Sequence, residues 1–180
     1  MMPDPVVTHL VAAALAIVLL VGAWQKLRDL AAFRAALEAY ELLPVAVAGL
    51  FAWALPVTEA LAGLALVIER TRILGVMLAA GLLAVVTSAV VINLLRGRHG
   101  LSCGCGGIED EQTLSWALVL RNGVLLALLV LVSFAPATRA LLWLDYLSVA
   151  AGACGLYGLY AMLNQLLANQ PRLMRLRSLV

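Results

Sequence analysis

The stretch from Ile73 to Leu95, ILGVMLAAGLLAVVTSAVVINLL, carries no charged side chain from its first residue to its last. A helix needs about 20 predominantly apolar residues to cross the hydrocarbon of a bilayer, so this run is long enough to span one. Outward from it lie four more apolar runs, Thr8 to Trp24, Pro44 to Ile68, Leu114 to Phe134 and Ala140 to Leu167. The chain is 64% hydrophobic and 12% charged, a bilayer composition that excludes a water-soluble domain. The expected fold is an all-α polytopic membrane bundle of four to five transmembrane helices. Spans at roughly 8–24, 44–68, 73–95, 114–134 and 140–167 leave no room for a soluble domain, so residues 1–180 read as one integral membrane domain. The first run has no basic region before it and no small-residue cleavage pattern after it, which makes it a retained helix and not a removed signal peptide.

Two connections between the runs have content. Asp29 to Leu43 places Leu30, Phe33, Leu37 and Tyr40 at helical spacing, with Arg34, Glu38 and Glu41 on other faces. That pattern predicts a short interfacial helix capping the bundle, ended by Pro44. Arg96 to Thr113 concentrates charge, glycine and sulfur, and contains Ser102-Cys103-Gly104-Cys105-Gly106-Gly107. Disulfide-bonded Cα atoms usually lie about 4.4 to 6.8 Å apart, so two cysteines separated by one residue can bond only if the chain bends between them. Gly104 permits the bend. So small a ring is strained, closes almost no loop, and suits exchange better than bracing. Arg96, Arg98 and His99 lie four to seven residues before Cys103, and cationic neighbours favour the attacking thiolate.

A metal reading competes for the same residues. His99, Cys103 and Cys105 offer one imidazole and two thiolates, a soft set for Cu(I) or zinc, with no clear fourth ligand. The other histidine, His9, is near the far end of the chain. The third cysteine, Cys154, falls about 15 to 20 Å deep in the last run at 1.5 Å per residue and reads as packing.

Ionisable residues inside apolar spans are costly and are functional candidates by default. Glu59 sits within the second run and Arg121-Asn122 about two turns into the fourth. Arg121 can snorkel toward the cysteine loop, with Asn93 at the end of the third run on the same side. A structural ion pair or hydrogen-bond network is the alternative for each. Gly75, Ala79, Ala80 and Gly81, and later Gly152, Gly155 and Gly158, read as helix-packing faces.

Orientation follows from lysines and arginines near the span ends. With five spans, the side bearing the cysteine loop holds eight of them and the opposite side three, which places that loop in the cytoplasm. If the last run does not cross, the tally is five against six and the bias disappears. The basic tail around Arg172, Arg175 and Arg177 reads as a lipid-headgroup anchor and not as a nucleic-acid surface. No pattern marks a quinone, haem or nucleotide site, and no cofactor is expected.

Asn93 to Arg98, then Cys103-Gly104-Cys105, then Leu114-Ser115-Trp116 and Leu120-Arg121-Asn122, together resemble the MauE family of methylamine-utilisation membrane proteins. Lys26, Leu42-Leu43-Pro44, Pro56 and Glu59 add weaker support. An aromatic residue commonly follows the second cysteine in that family, whereas Gly106 stands here. The resemblance, which extends to a wider DoxX-like group of redox-associated membrane proteins, implies a multi-pass protein of the bacterial cytoplasmic membrane. It implies maturation of a periplasmic redox enzyme, the small disulfide-rich subunit of methylamine dehydrogenase, beside a thioredoxin-like partner. Cys103 and Cys105 would exchange disulfides with assistance from Arg96, Arg98 and Arg121. A periplasmic client is served most simply by periplasmic cysteines, in conflict with the five-span charge count. The alternatives are a membrane metal carrier and a structural assembly subunit without chemistry.

Overall fold

A computed structural model of the chain describes residues 4–103, 113–134 and 139–177, with side chains to residue 169. The described elements are α1 (Pro5–Arg28), α2 (Leu30–Ala39), α3 (Val45–Val67), a 3-10 turn (Glu69–Thr71), α4 (Arg72–Leu95), α5 (Trp116–Ser133) and α6 (Trp143–Arg177). Five of these helices, α2 excepted, are long and apolar enough to cross a membrane, and the protein is an all-α polytopic bundle. Helix ends differ from the edges of the apolar runs because capping, and not hydropathy, sets them. The Asp4 carboxylate accepts from the Val6 N–H at 2.8 Å and Pro5 occupies the first turn, so α1 begins ahead of its apolar run. It ends on Lys26 and Arg28, cations that suit the negative end of the helix dipole. The last helix begins at Trp143, and its spanning part reaches Asn169.

α1 is the central element, packed against α3, α5 and α6, while α4 lies between α3 and α5. Lipid is as apolar as leucine, so close van der Waals packing has to hold such helices together. Ala16, Ala62 and Ala79 are buried at 2% exposure or less and bring α1, α3 and α4 together, with Leu15, Leu19, Leu66, Leu83 and Leu129 filling the space between them. At Gly75 a Cβ would lie 2.7 Å from the Leu66 backbone nitrogen, so the α3–α4 crossing admits glycine alone. The same turn satisfies the last carbonyls of α3. Thr71 Oγ1 donates to the Ala65 oxygen at 3.1 Å, and Arg72 Nε to that of Leu66 at 3.4 Å.

Of the expected glycine packing faces, Gly75 and Gly152 do approach neighbouring helices. Gly81, Gly155 and Gly158 face open space, because each points away from the helix beside it. Cys154 is exposed on α6 rather than packed, since α6 rests chiefly on α1 and turns that side outward.

Candidate functional site

The cysteine loop begins at a glycine stop. Gly97, at φ +75°, takes the left-handed conformation that closes α4, and the Arg98 N–H reaches back to the Asn93 carbonyl at 3.0 Å. Ser102 and Thr113 then form an antiparallel bridge, and the Leu114 N–H donates to the Leu101 carbonyl at 3.0 Å. The two feet of the loop are therefore fastened together directly above α4 and α5. Cys103, the last residue described before the loop, is buried among Tyr40, Val90, Leu94, Leu114 and Leu118. The Tyr40 hydroxyl donates to its carbonyl at 3.3 Å. Gly104, Cys105, Gly106, Gly107 and the acidic run Glu109 to Glu111 lie outside the described residues.

α2 brings Tyr40 to this point. The Asp29 carboxylate caps it by accepting from the Ala32 N–H at 2.9 Å, and the helix turns Phe33 inward, with buried Tyr40 at its end. It leaves through Glu41, a non-glycine residue at φ +50°. Arg98 bonds the Glu41 carboxylate, linking the exit of α2 to the foot of the cysteine loop. That bond, with the charge of Arg98 and more distantly of Arg96, holds the Glu41 carboxyl below its ordinary range.

Beneath α2 lies a cavity of about 590 Å³ whose wall includes Cys103. Its sides are mostly aliphatic, from α1, α3 and α4, and its polar groups are few. Lys26 Nζ and Glu59 Oε2 pair at 2.6 Å across it, with side chains only 12% and 10% exposed. Gly22, one turn before Lys26 on the same face of α1, makes room for the carboxylate: a Cβ there would lie 2.9 Å from Glu59 Oε1. Also on its wall, the Arg121 guanidinium donates to Asn122 Oδ1 and to Asn164 Oδ1, and lies 5.9 Å from the centre of the Tyr160 ring. Asn122 Nδ2 donates in turn to Thr87 Oγ1 at 3.0 Å, tying α5 to α4.

The structure thus gathers Cys103, Glu59, Arg121 and Asn122 around one cavity. Arg98 is engaged by Glu41, while Arg96 and His99 are exposed at the foot of the loop. Asn93 is fully buried, donates to the Ala89 carbonyl at 3.1 Å, and keeps its Oδ1 without a hydrogen-bond partner. Among the described residues no group of three or more His, Cys, Asp or Glu side chains comes together to hold a metal ion. His9 is at the other end of the bundle, bonded to Glu69 at 2.8 Å.

Sequence reasoning missed four participants, Tyr40 as the anchor of Cys103 and the set Thr87, Tyr160 and Asn164. Tyr160 and Asn164 stand four residues apart in an apolar run, a one-sided polar pair that could have marked a helix face turned toward another polar group.

Fold and site together define a multi-pass membrane protein that mounts a cysteine over an intramembrane cavity fitted with a buried ion pair. Residues 4–135 match the family described as Methylamine utilisation protein MauE. The chain belongs to that family. It is 37% identical over 125 residues to the Methylamine utilization protein MauE of Paracoccus denitrificans, covering 69% of this chain and 67% of that one. To the protein of the same name from Methylorubrum extorquens it is 36% identical over 152 residues, or 84% and 77% of the two chains. No solved structure matches.

Proposed function

We propose that this protein acts in methylamine utilisation as a thiol–disulfide exchange protein of the bacterial cytoplasmic membrane, the whole chain forming one integral membrane domain. Its client is a periplasmic redox enzyme, the small subunit of methylamine dehydrogenase, and a thioredoxin-like protein is its partner. The observation that carries the reading is the setting of Cys103, held through its carbonyl by Tyr40 at the junction of a pinned loop and a cavity.

In the oxidising direction a client thiolate attacks one sulfur of the Cys103–Cys105 disulfide, and the other sulfur departs as thiolate. A second client thiolate then resolves the mixed disulfide, leaving the client oxidised and the pair reduced by two electrons. Arg96 and Arg98 at the foot of the loop, the latter held by Glu41, and Arg121 on the wall of the cavity that Cys103 also lines are assigned the assisting role, as cations beside an exchanging pair.

The test is maleimide mass-tagging of Cys103 and Cys105 in a Cys154→Ala background, in intact and lysed cells, with and without prior reduction. Tagging in intact cells only after reduction is the result a periplasmic client requires, against the five-span charge count, and reports an oxidised pair facing the periplasm. Tagging only after lysis would place the pair in the cytoplasm, as that count has it. Growth on methylamine of a deletion strain carrying the Cys103→Ser, Cys105→Ser double variant would replace exchange with an assembly role.

A further inference from the structure

The cavity beneath α2 has a composition that thiol exchange alone does not call for. The chain holds three phenylalanines and four tyrosines, and four of these seven rings, Phe33, Tyr40, Phe51 and Tyr160, line this one space. Two of the rings lie under cations, Phe33 5.9 Å from Lys26 and Tyr160 5.9 Å from Arg121. The remaining wall is aliphatic, and about 590 Å³ falls within the usual size of small-molecule sites.

A ligand matched to these walls is flat enough to lie against aromatic faces. It carries oxygen acceptors able to share the Lys26 ammonium with Glu59 and the Arg121 guanidinium with Asn122 and Asn164, has a hydrocarbon tail for the aliphatic side, and has no net charge that would bar it from the bilayer. A phospholipid fits less well. Its chains would suit the aliphatic wall, but it has no ring for the four aromatic side chains, and its phosphate belongs in the interface.

We propose that this cavity binds a membrane quinone. Binding stands apart from the thiol chemistry; its use as an electron sink rests on the exchange reading. In that use the two thiols of Cys103 and Cys105 lose two electrons and two protons as their disulfide forms, and the quinone gains both to become the hydroquinone. Cys103, on the cavity wall, puts thiol and acceptor in one chamber.

The test uses the purified full chain in detergent with a photoreactive azidoquinone, competed by decylubiquinone or by dioleoylphosphatidylglycerol. Saturable labelling of peptides from α1, α2 and α5, displaced by decylubiquinone and not by the phospholipid, is expected. Ser88→Phe, which fills the cavity from α4, and Arg121→Gln, which removes a cation, should each weaken binding about tenfold or more. Ala54→Phe, on an exposed face of α3 outside the cavity, should bind like the parent chain. Labelling that does not saturate, that the phospholipid displaces equally, or that Ser88→Phe leaves intact in a folded protein would overturn the site. Anaerobic mixing of the reduced protein with decylubiquinone then separates the two ideas. Hydroquinone formation lost in Cys103→Ser supports the coupling, whereas saturable binding without reduction keeps the quinone site and overturns its use as an electron sink, leaving exchange with a protein partner to the mass-tagging test.

Discussion

The two ends of the bundle use the same chemistry to different purposes. At the end holding the start of α1, His9 meets Glu69 and Arg139 reaches Asp4 and Asp145, in pairs whose carboxylates at Glu69 and Asp4 are 70% and 52% exposed. These pairs tie connections together in water, where such contacts are weak. At the other end Lys26 and Glu59 meet with nearly all of their surface removed from solvent, inside a cavity and below a buried cysteine. Two charges held there are costly unless each keeps the other, so the pair fixes the shape of the chamber. An ion pair at a helix end is therefore fastening in one place and architecture in the other, and burial makes the difference.

Lys26→Met sharpens that contrast most. It strands Glu59 in the cavity and should destabilise the purified protein by about 3 to 5 kcal/mol in chemical unfolding, with much of the loss recovered in Lys26→Met, Glu59→Leu. A double variant no better than the single one would show that the pair does not act as a unit. Gly22→Leu attacks the same chamber sterically, by driving a side chain into the carboxylate, and should cost about 1 to 3 kcal/mol in the same assay. Asn164→Ala removes the α6 partner of Arg121 and should cost about 0.6 kcal/mol, the size of an average interhelical hydrogen bond in a membrane. His9→Ala, at the fastening end, should change stability by less than about 1 kcal/mol. A loss there as large as that of Lys26→Met would erase the distinction between the ends.

The smallest effect concerns pH. Glu41 has its folded-state pKa depressed by Arg98, so its contribution is present above the ordinary carboxylate pKa and is lost as pH falls through the lower folded value. Below about pH 4, amide exchange should quicken around residues 96–103 with the core of α1 unchanged. The Glu41→Gln variant should show the quicker exchange at neutral pH and no further acid response.

Periodicity and length sufficed for the five spans, because apolar runs of bilayer length leave the backbone no alternative to a helix. The amphipathic spacing of Leu30, Phe33, Leu37 and Tyr40 likewise specified α2 as a helix. It could not show that Phe33 and Tyr40 roof a cavity, since an inward face looks the same whether it meets a packed core or a space. Glu59 and Arg121 were conspicuous as charges in apolar runs, yet their partners were not. Lys26 is 33 residues from Glu59 and Asn164 is 43 from Arg121, separations that only the packing of α1 on α3 and of α5 near α6 brings together.

Composition, hydropathy and the Cys-Gly-Cys spacing by themselves determined a helical membrane protein with two thiols in a polar loop, because these are local properties of chain chemistry. Tertiary structure decided what Cys103 faces, which charge neutralises which, and that four aromatic rings share one chamber. Those are matters of distance between residues remote in sequence, and they are settled by which small residues let α1, α3 and α4 approach.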